Sequence, residues 1–178
     1  MTRVRRAVVE DAEAVGAVHV AAARAAYRGV MPDDYLDSQD PELRSDRWRE
    51  ALSASGGGGL AVLPEGRVIL LVAEDGMGTI VGIAAVGRDR ADPTRGELQM
   101  INVAPNAWGR GVATPLLRSA ERELLEKGFQ EAILWVLESN VRARRFYERE
   151  GWLTDGMMKE EERPGFTLRQ LRYRRRLD

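Results

Sequence analysis

Cysteine is absent from this chain of 178 residues, and histidine occurs once, at His19. Disulfides, thiolate metal sites and cysteine nucleophiles are therefore excluded. One imidazole is too little for a histidine metal cluster or a Ser-His-Asp triad, so no metal is expected. No run of about eighteen apolar residues is present to span a membrane. The basic start Met1–Arg6 meets Glu10 and Asp11 before a signal core can develop, so the chain reads as untargeted and cytoplasmic. Neither charge dominates: 27 Lys and Arg against 28 Asp and Glu leave a net −1, which gives no global attraction to nucleic acid. Catalysis, if present, has to use carboxylates, tyrosines, backbone dipoles and a cofactor.

What is present is an ordinary globular mixture, 44% hydrophobic and 31% charged, at a length that suits one domain over residues 1–178. Thr2–Val8 reads as a strand, with Asp11 as N-cap of a helix that stops at Gly29. Met31–Leu36 reads as a short helical turn, and Pro41–Leu52 as a second helix carrying Trp48. The glycine run at 56–59 reads as a flexible connector. Arg67–Ala73, Thr79–Val86 and Glu97–Val103 follow as strands, the first two joined by hairpin chemistry at Glu74–Gly78. Arg110–Lys127 reads as a helix, since Val112, Leu116, Ala120 and Leu124 form one stripe. Ala132–Leu137 is apolar on both faces, as a covered strand should be. A helix over Val141–Glu150 and strands over Trp152–Met158 and Thr167–Leu177 complete the chain, with Glu160–Arg163 as a solvated loop. Alternation with Leu171, Tyr173 and Leu177 makes the Arg172–Arg176 run the polar face of a strand. The order β-α-α-β-β-β-α-β-α-β-β implies a mixed α/β sheet, mostly antiparallel and flanked by helices, with one parallel crossover.

The chemistry concentrates in two segments. In the first, a strand ending at Val103 leads through Trp108-Gly109-Arg110-Gly111-Val112-Ala113-Thr114 into a helix. Helix-initial N–H groups lack partners and the dipole favours anions, while Gly109 and Gly111 let backbone approach a ligand. A diphosphate suits such a turn. No Gly-Lys-Ser/Thr follows, which excludes a Walker A loop. The match to a dinucleotide fingerprint is incomplete, because Thr114 holds the third glycine position and no acidic residue lies about 20 residues on at a strand's C-terminal end, Glu131 opening its strand instead. Taken alone, a glycine-rich helix start without a ligand is the simpler reading. The second segment, Asn140-Val141-Arg142-Ala143-Arg144-Arg145-Phe146-Tyr147, followed by Gly151-Trp152, comes directly after the next strand.

Together the two segments resemble the GCN5-related N-acetyltransferase superfamily. Its cofactor loop, Gln/Arg-x-x-Gly-x-Gly/Ala, is matched at Gly111 and Ala113. Its second signature is matched at Asn140, Ala143, Phe146, Tyr147 and Gly151, with Trp152 in the aromatic slot. Trp108 departs from the pattern, standing where Gln or Arg is usual, although Arg110 still offers positive charge. The resemblance implies an acetyl-CoA-dependent transfer to an amine, by direct attack on the thioester. It also implies that the strands Glu97–Val103 and Ala132–Leu137 splay apart around the pantetheine arm, and that two chains can pair as a homodimer. Backbone amides near Asn102 and Val103 become candidates to bind the arm and polarise the carbonyl. Val112, Thr114 and the helix start beside them join the cofactor contacts.

An alkylamine of pKa about 10.4 is neutral in only about one molecule in 2,500 at pH 7, a cost of roughly 4.6 kcal/mol. A carboxylate taking that proton is therefore useful. Glu97, fourteen residues before Gly111, is the leading base, with Glu138 in reserve. Tyr147 occupies the family position that protonates the departing thiolate. Tyr27 and Tyr35 fall in the segment that, by resemblance, lines the acceptor side. The acceptor itself, small molecule or peptide, is left open, as is a catalytically silent acyl-CoA-binding module.

Overall fold

In the computed structural model, which describes residues 2–64 and 66–178, the strands and helices alternate in the expected mixed pattern. The elements are β1 (Arg3–Arg6), α1 (Ala12–Tyr27), α2 (Asp33–Asp37), α3 (Pro41–Ser53), β2 (Leu60–Leu63), β3 (Gly66–Glu74), β4 (Ile80–Arg88) and β5 (Gly96–Val103), followed by α4 (Ala113–Glu126), β6 (Glu131–Leu137), α5 (Val141–Arg149), β7 (Leu153–Arg163) and β8 (Phe166–Arg176). The strands form one sheet in the order β1-β3-β4-β5-β6-β8-β7, and β2 shares the outer edge of β3 with β1. Every pairing is antiparallel except β5 with β6.

Both faces of the sheet are covered, which is why β3 and β4 are buried along most of their length. On one face α4 lays down Leu116, Ala120 and Leu124 against Leu71, Ala84 and Leu98, and Trp152 and Tyr173 fill the far end of that core. The opposite core is built from Val15 and Val18 of α1 and Trp48 and Leu52 of α3 against Leu70, Val72 and Ile83. The predicted stripe on α4 is thus the stripe that is buried. Fully burying a side chain of this size stabilises by about 1.5–3 kcal/mol. α3 starts where Pro41 follows the Asp40 N-cap, whose carboxylate accepts from the amides of Glu42 at 2.8 Å and Leu43 at 3.4 Å.

Four expectations are corrected. Asp11 occupies the N-cap position of α1 but does not cap, because the guanidinium of Arg5 takes both its oxygens at 2.6 and 2.9 Å. Burial alone would raise the Asp11 carboxyl, but the bonds from Arg5 and the Val8 amide outweigh it and hold the group below its ordinary value. α4 begins at Ala113 rather than Arg110, since the backbone at Gly109 and Gly111 has φ of 74° and 76° and cannot be helical. The glycine run at 56–59 feeds a strand, β2, that was not anticipated. Finally, Glu160–Arg163 is not a loop but the end of β7. Its charges are satisfied across the hairpin, with Arg169 donating to Glu160 at 3.1 Å and Thr167 to Glu162 at 3.0 Å.

Candidate active site

β5 and β6 pair only over Gly96–Leu98 and Ala132–Leu134. Past that point the two strands separate, and β5 carries a bulge opposite Ala85 and Val86 that leaves Gln99 outside the ladder. The result is a slot walled by Met100, Ile101 and Asn102 on one side and by Trp135, Val136 and Leu137 on the other. It widens into a cleft of about 1090 Å³ that reaches α1, α3 and the tip of the β7–β8 hairpin.

Strand alternation decides which amides line the slot. Ala104 donates to the Val81 carbonyl at 2.8 Å, so Ala104 and Asn102 turn their backbone groups towards β4. Ile101 and Val103 therefore turn theirs into the gap. Of the expected pair, the Val103 N–H faces the gap between the strands, whereas the Asn102 N–H faces β4 and Asn102 lines the cleft.

Beyond the end of β5 the glycine loop presents a row of open backbone amides, a candidate anion cradle. The amides of Gly109, Gly111 and Val112 have no backbone acceptor among the described residues. A Cβ placed on Gly109 or Gly111 would meet nothing within 4 Å, so it is their positive φ, not crowding, that requires glycine there. Pro115 sits in the first turn of α4, where a missing N–H costs nothing. Ala113 and Thr114 open the helix, and the Thr114 hydroxyl donates to Glu150 at 2.9 Å, tying this turn to the end of α5.

Trp108 does work of a different kind from the Gln or Arg it replaces. Its indole N–H donates to the Val103 carbonyl at 2.7 Å, and the Arg142 guanidinium lies 3.6 Å from its ring centroid. Trp108 thus joins the end of β5 to the start of α5 and holds a cation beside the cradle. Arg110 is exposed on the same loop.

α5 delivers the remaining residues. Asn140 caps it, its side-chain oxygen accepting from the Ala143 amide at 3.1 Å, and both residues line the cleft. One turn on, Tyr147 is buried at 7% exposure and lines the cleft from within. Burial, and then the neighbouring Tyr27, push its phenol well above the ordinary tyrosine value, so it keeps its proton. Phe146 points elsewhere: it packs on the first core, with its ring 5.3 Å from that of Tyr147, and is not on the cleft wall.

The other proposed residues separate. Tyr27 lines the cleft, and burial raises its phenol as well. Tyr35 does not line it; its ring meets Phe166 edge-on at 5.1 Å and so fastens the hairpin tip to α2. Glu97 lies in the paired, closed end of the slot opposite Ile133, off the cleft wall. Burial and Asp89 raise its carboxyl above the ordinary value, against the opposing pull of Lys159 and Arg90. Glu138 is half exposed and faces Arg169 at 3.5 Å.

His19 is the residue that sequence reasoning passed over. It lines the cleft, and its Nδ1 accepts from the Trp48 indole at 3.3 Å. Burial, and then Arg44, push it down to about 4, which makes it neutral at working pH. With Nδ1 accepting, its proton sits on Nε2. Its partner lies 29 residues away, so no local pattern marked it.

Comparison with known proteins gives one answer. The Acetyltransferase (GNAT) family matches residues 23–152. The N-acetyltransferase YuaI of Bacillus subtilis (strain 168) is 30% identical over 142 residues, covering 79% of this chain and 74% of its own. The PaiA N-acetyltransferase of Thermoplasma acidophilum, solved in complex with coenzyme A, aligns with a TM-score of 0.72 at 19% identity over 99% of both chains. YncA of Salmonella typhimurium, solved with its cofactor acetyl-CoA, aligns with a TM-score of 0.70 at 19% identity, covering 99% of this chain and 94% of that one.

Proposed function

The chain belongs to the GNAT family of acetyltransferases, and we propose that it moves an acetyl group from acetyl-CoA to a primary amine by direct attack within a ternary complex. The observation that carries this reading is the slot between β5 and β6, with a protonated tyrosine inside it and a loop of open amides following β5. The residues present fit coenzyme A. Gly109, Gly111 and Val112 would take the diphosphate, Arg110 and Arg142 would add positive charge, and Ile101 and Val103 would bond the extended arm.

Acetyl-CoA supplies the acetyl group as a thioester and leaves as the thiol. The amine forms an N–C bond, the C–S bond breaks, and one proton passes from nitrogen to sulfur. Val103 N–H, fixed by the ladder and by the Trp108 bond to its carbonyl, is oriented before reaction to support negative charge on the thioester oxygen. Tyr147 acts as donor to the departing sulfur, since its raised pKa rules out a role as base. A phenol this weakly acidic stabilises the thiolate through a hydrogen bond more than by giving up its proton. Glu97, off the wall but with a raised carboxyl, receives the amine proton through water.

Thiol release on mixing the full chain with acetyl-CoA and an amine panel tests the reading. Tight coenzyme A binding with no release from any amine, across neutral and alkaline pH, would reduce the protein to a silent acyl-CoA-binding module. Binding of NAD in preference to coenzyme A would sink both.

A further inference from the structure

The cleft is not neutral. Among the described residues its charged side chains are Arg44, Arg47 and Arg163 against one carboxylate, Glu50, an excess of two positive charges in a chain whose net charge is −1. Arg163 is matched by Glu161 at 2.5 Å. The two α3 arginines differ. Nearby pairs join Arg28 to Asp33 and Asp37, and Arg49 to Asp46, yet neither Arg44 nor Arg47 has a carboxylate within 4 Å among the described residues. The side-chain partner of Arg44 is the Gln39 amide oxygen at 3.1 Å, which occupies one of five N–H groups.

Arg44 and Arg47 are three residues apart on α3, so they stand on one face and their charges repel. A helix surface rarely leaves a half-buried guanidinium beside a second, exposed one with no carboxylate in contact unless an anion arrives from outside. They also belong to the α1–α3 side of the sheet, whereas the glycine cradle opens α4 on the opposite side. The phosphates held by the cradle therefore do not explain them. A polyamine or another polycation would meet net repulsion here. An acceptor carrying its own anion is attracted instead. The same positive surroundings depress the pKa of its ammonium, which raises the neutral fraction able to attack.

We propose that the acceptor is a primary amine bearing a carboxylate, phosphonate or phosphate group, and that Arg44 and Arg47 bind that anion. The proposal rests on the acetyl-transfer reading for the amine's fate but not for its binding.

The test is calorimetry on the full chain loaded with coenzyme A. The probes are L-glutamate, L-phenylalanine and 2-aminoethylphosphonate, set against L-phenylalaninamide, ethanolamine and spermidine. At least one anionic amine should bind about tenfold or more tightly than its neutral counterpart, the size of a charge-assisted contact. Arg44→Gln and Arg47→Gln should each remove most of that preference while coenzyme A affinity is kept. Arg47→Glu, at an exposed position where folding is not at risk, should turn the preference towards spermidine. Equal or tighter binding of amides or spermidine by the wild type overturns the proposal. So does a preference that survives both glutamine variants, or no detectable binding of any anionic probe. A preference that follows the arginines without thiol release leaves this inference standing and removes the transferase reading.

Discussion

The two candidate ligand sites, the glycine loop and the cleft, offer different materials. On the α4 side the groups on offer are backbone amides of Gly109, Gly111 and Val112, fixed by turn geometry. On the α1–α3 side they are side chains that line the cleft: Arg44 bonded to Gln39, Arg47 exposed, and His19 bonded to Trp48. A backbone cradle tolerates wide change in sequence provided its conformation is kept, so it suits a ligand shared by a whole family. A side-chain pocket is rewritten by one substitution, so it suits a ligand that differs between members. Tyr147 stands between them, on the helix that follows the slot and next to Tyr27 from the other side.

The sharpest way to test that junction is Tyr147→Phe. The ring stays, so both sides should fold and coenzyme A should bind within about twofold, but the donor to sulfur is lost. Turnover should fall by about 10²-fold or more, roughly 3 kcal/mol of transition-state stabilisation. An unchanged rate at all pH values would show that Tyr147 is only a packed aromatic. The wild-type profile should also show no alkaline limb from this phenol in the usual tyrosine range, because burial carries it higher.

Acid should break the side-chain half first. His19 is pushed down to about 4 by burial and then by Arg44, against about 6.5 in an unfolded chain. Between those two values the unfolded state binds the extra proton, so stability falls as pH falls through that window and is flat above it. The loss approaches about 3 kcal/mol at its lower end. Denaturant unfolding at pH 7.5 and at pH 5 measures it, and His19→Gln should flatten the difference. Coenzyme A affinity should hold over the same window, since no group in the cradle titrates there. A parallel loss of both would contradict the separation.

The cradle half should break at its backbone. Gly111→Val forces a β-branched residue to φ near 76°, a strain of about 1–3 kcal/mol that the loop relieves by leaving its anion-binding shape. Coenzyme A affinity should drop about 10–100-fold, while the anionic amines of the acceptor test lose nothing. Normal affinity for coenzyme A in this variant would remove the loop assignment.

The same division explains what could be read from the chain. The α4 stripe and the Asn140 cap are local, set by spacing and by one residue's relation to the next few, and both appear where spacing put them. The glycine pair was visible too, though not that its positive φ delays α4 to Ala113. The β7 end was hidden because its residues are charged, and their strand is justified only by partners such as Arg169 across the hairpin. Four residues of β2 carry too short an alternation to stand out from the glycines before them. Arg44 and Arg47 look like the solvated face of a helix until the fold turns that face into a cleft. Glu97 was assigned by offset along the strand, and the structure sets it at the closed end of the slot instead of on its wall. Glu97→Gln should therefore cost less than the tyrosine change, about tenfold in kcat/KM and mostly above the pH at which the wild-type carboxyl has lost its proton, and an unshifted pH profile would remove Glu97 as a relay.

The smallest effect bears on the largest departure from the family pattern. If the cradle is defined by backbone, the side chain at position 108 matters through what it fixes, not through what it touches in the ligand. Trp108→Phe keeps a ring for Arg142 but leaves the Val103 carbonyl without its indole donor. The carbonyl faces the slot and can bond water, so stability should fall by only about 1 kcal/mol. Coenzyme A affinity should change by less than about threefold, because the amides of Gly109, Gly111 and Val112 are untouched and about 0.6 kcal/mol is all that relaxation at Val103 supplies. Trp108→Ala removes the platform for Arg142 as well and should cost several-fold, by freeing a cation that now lies against the ring at 3.6 Å. A tenfold or greater loss from the phenylalanine variant, read by calorimetry, would mean that the indole N–H holds the cradle in place, and the contrast between a backbone site and a side-chain site would then fail at its strongest point.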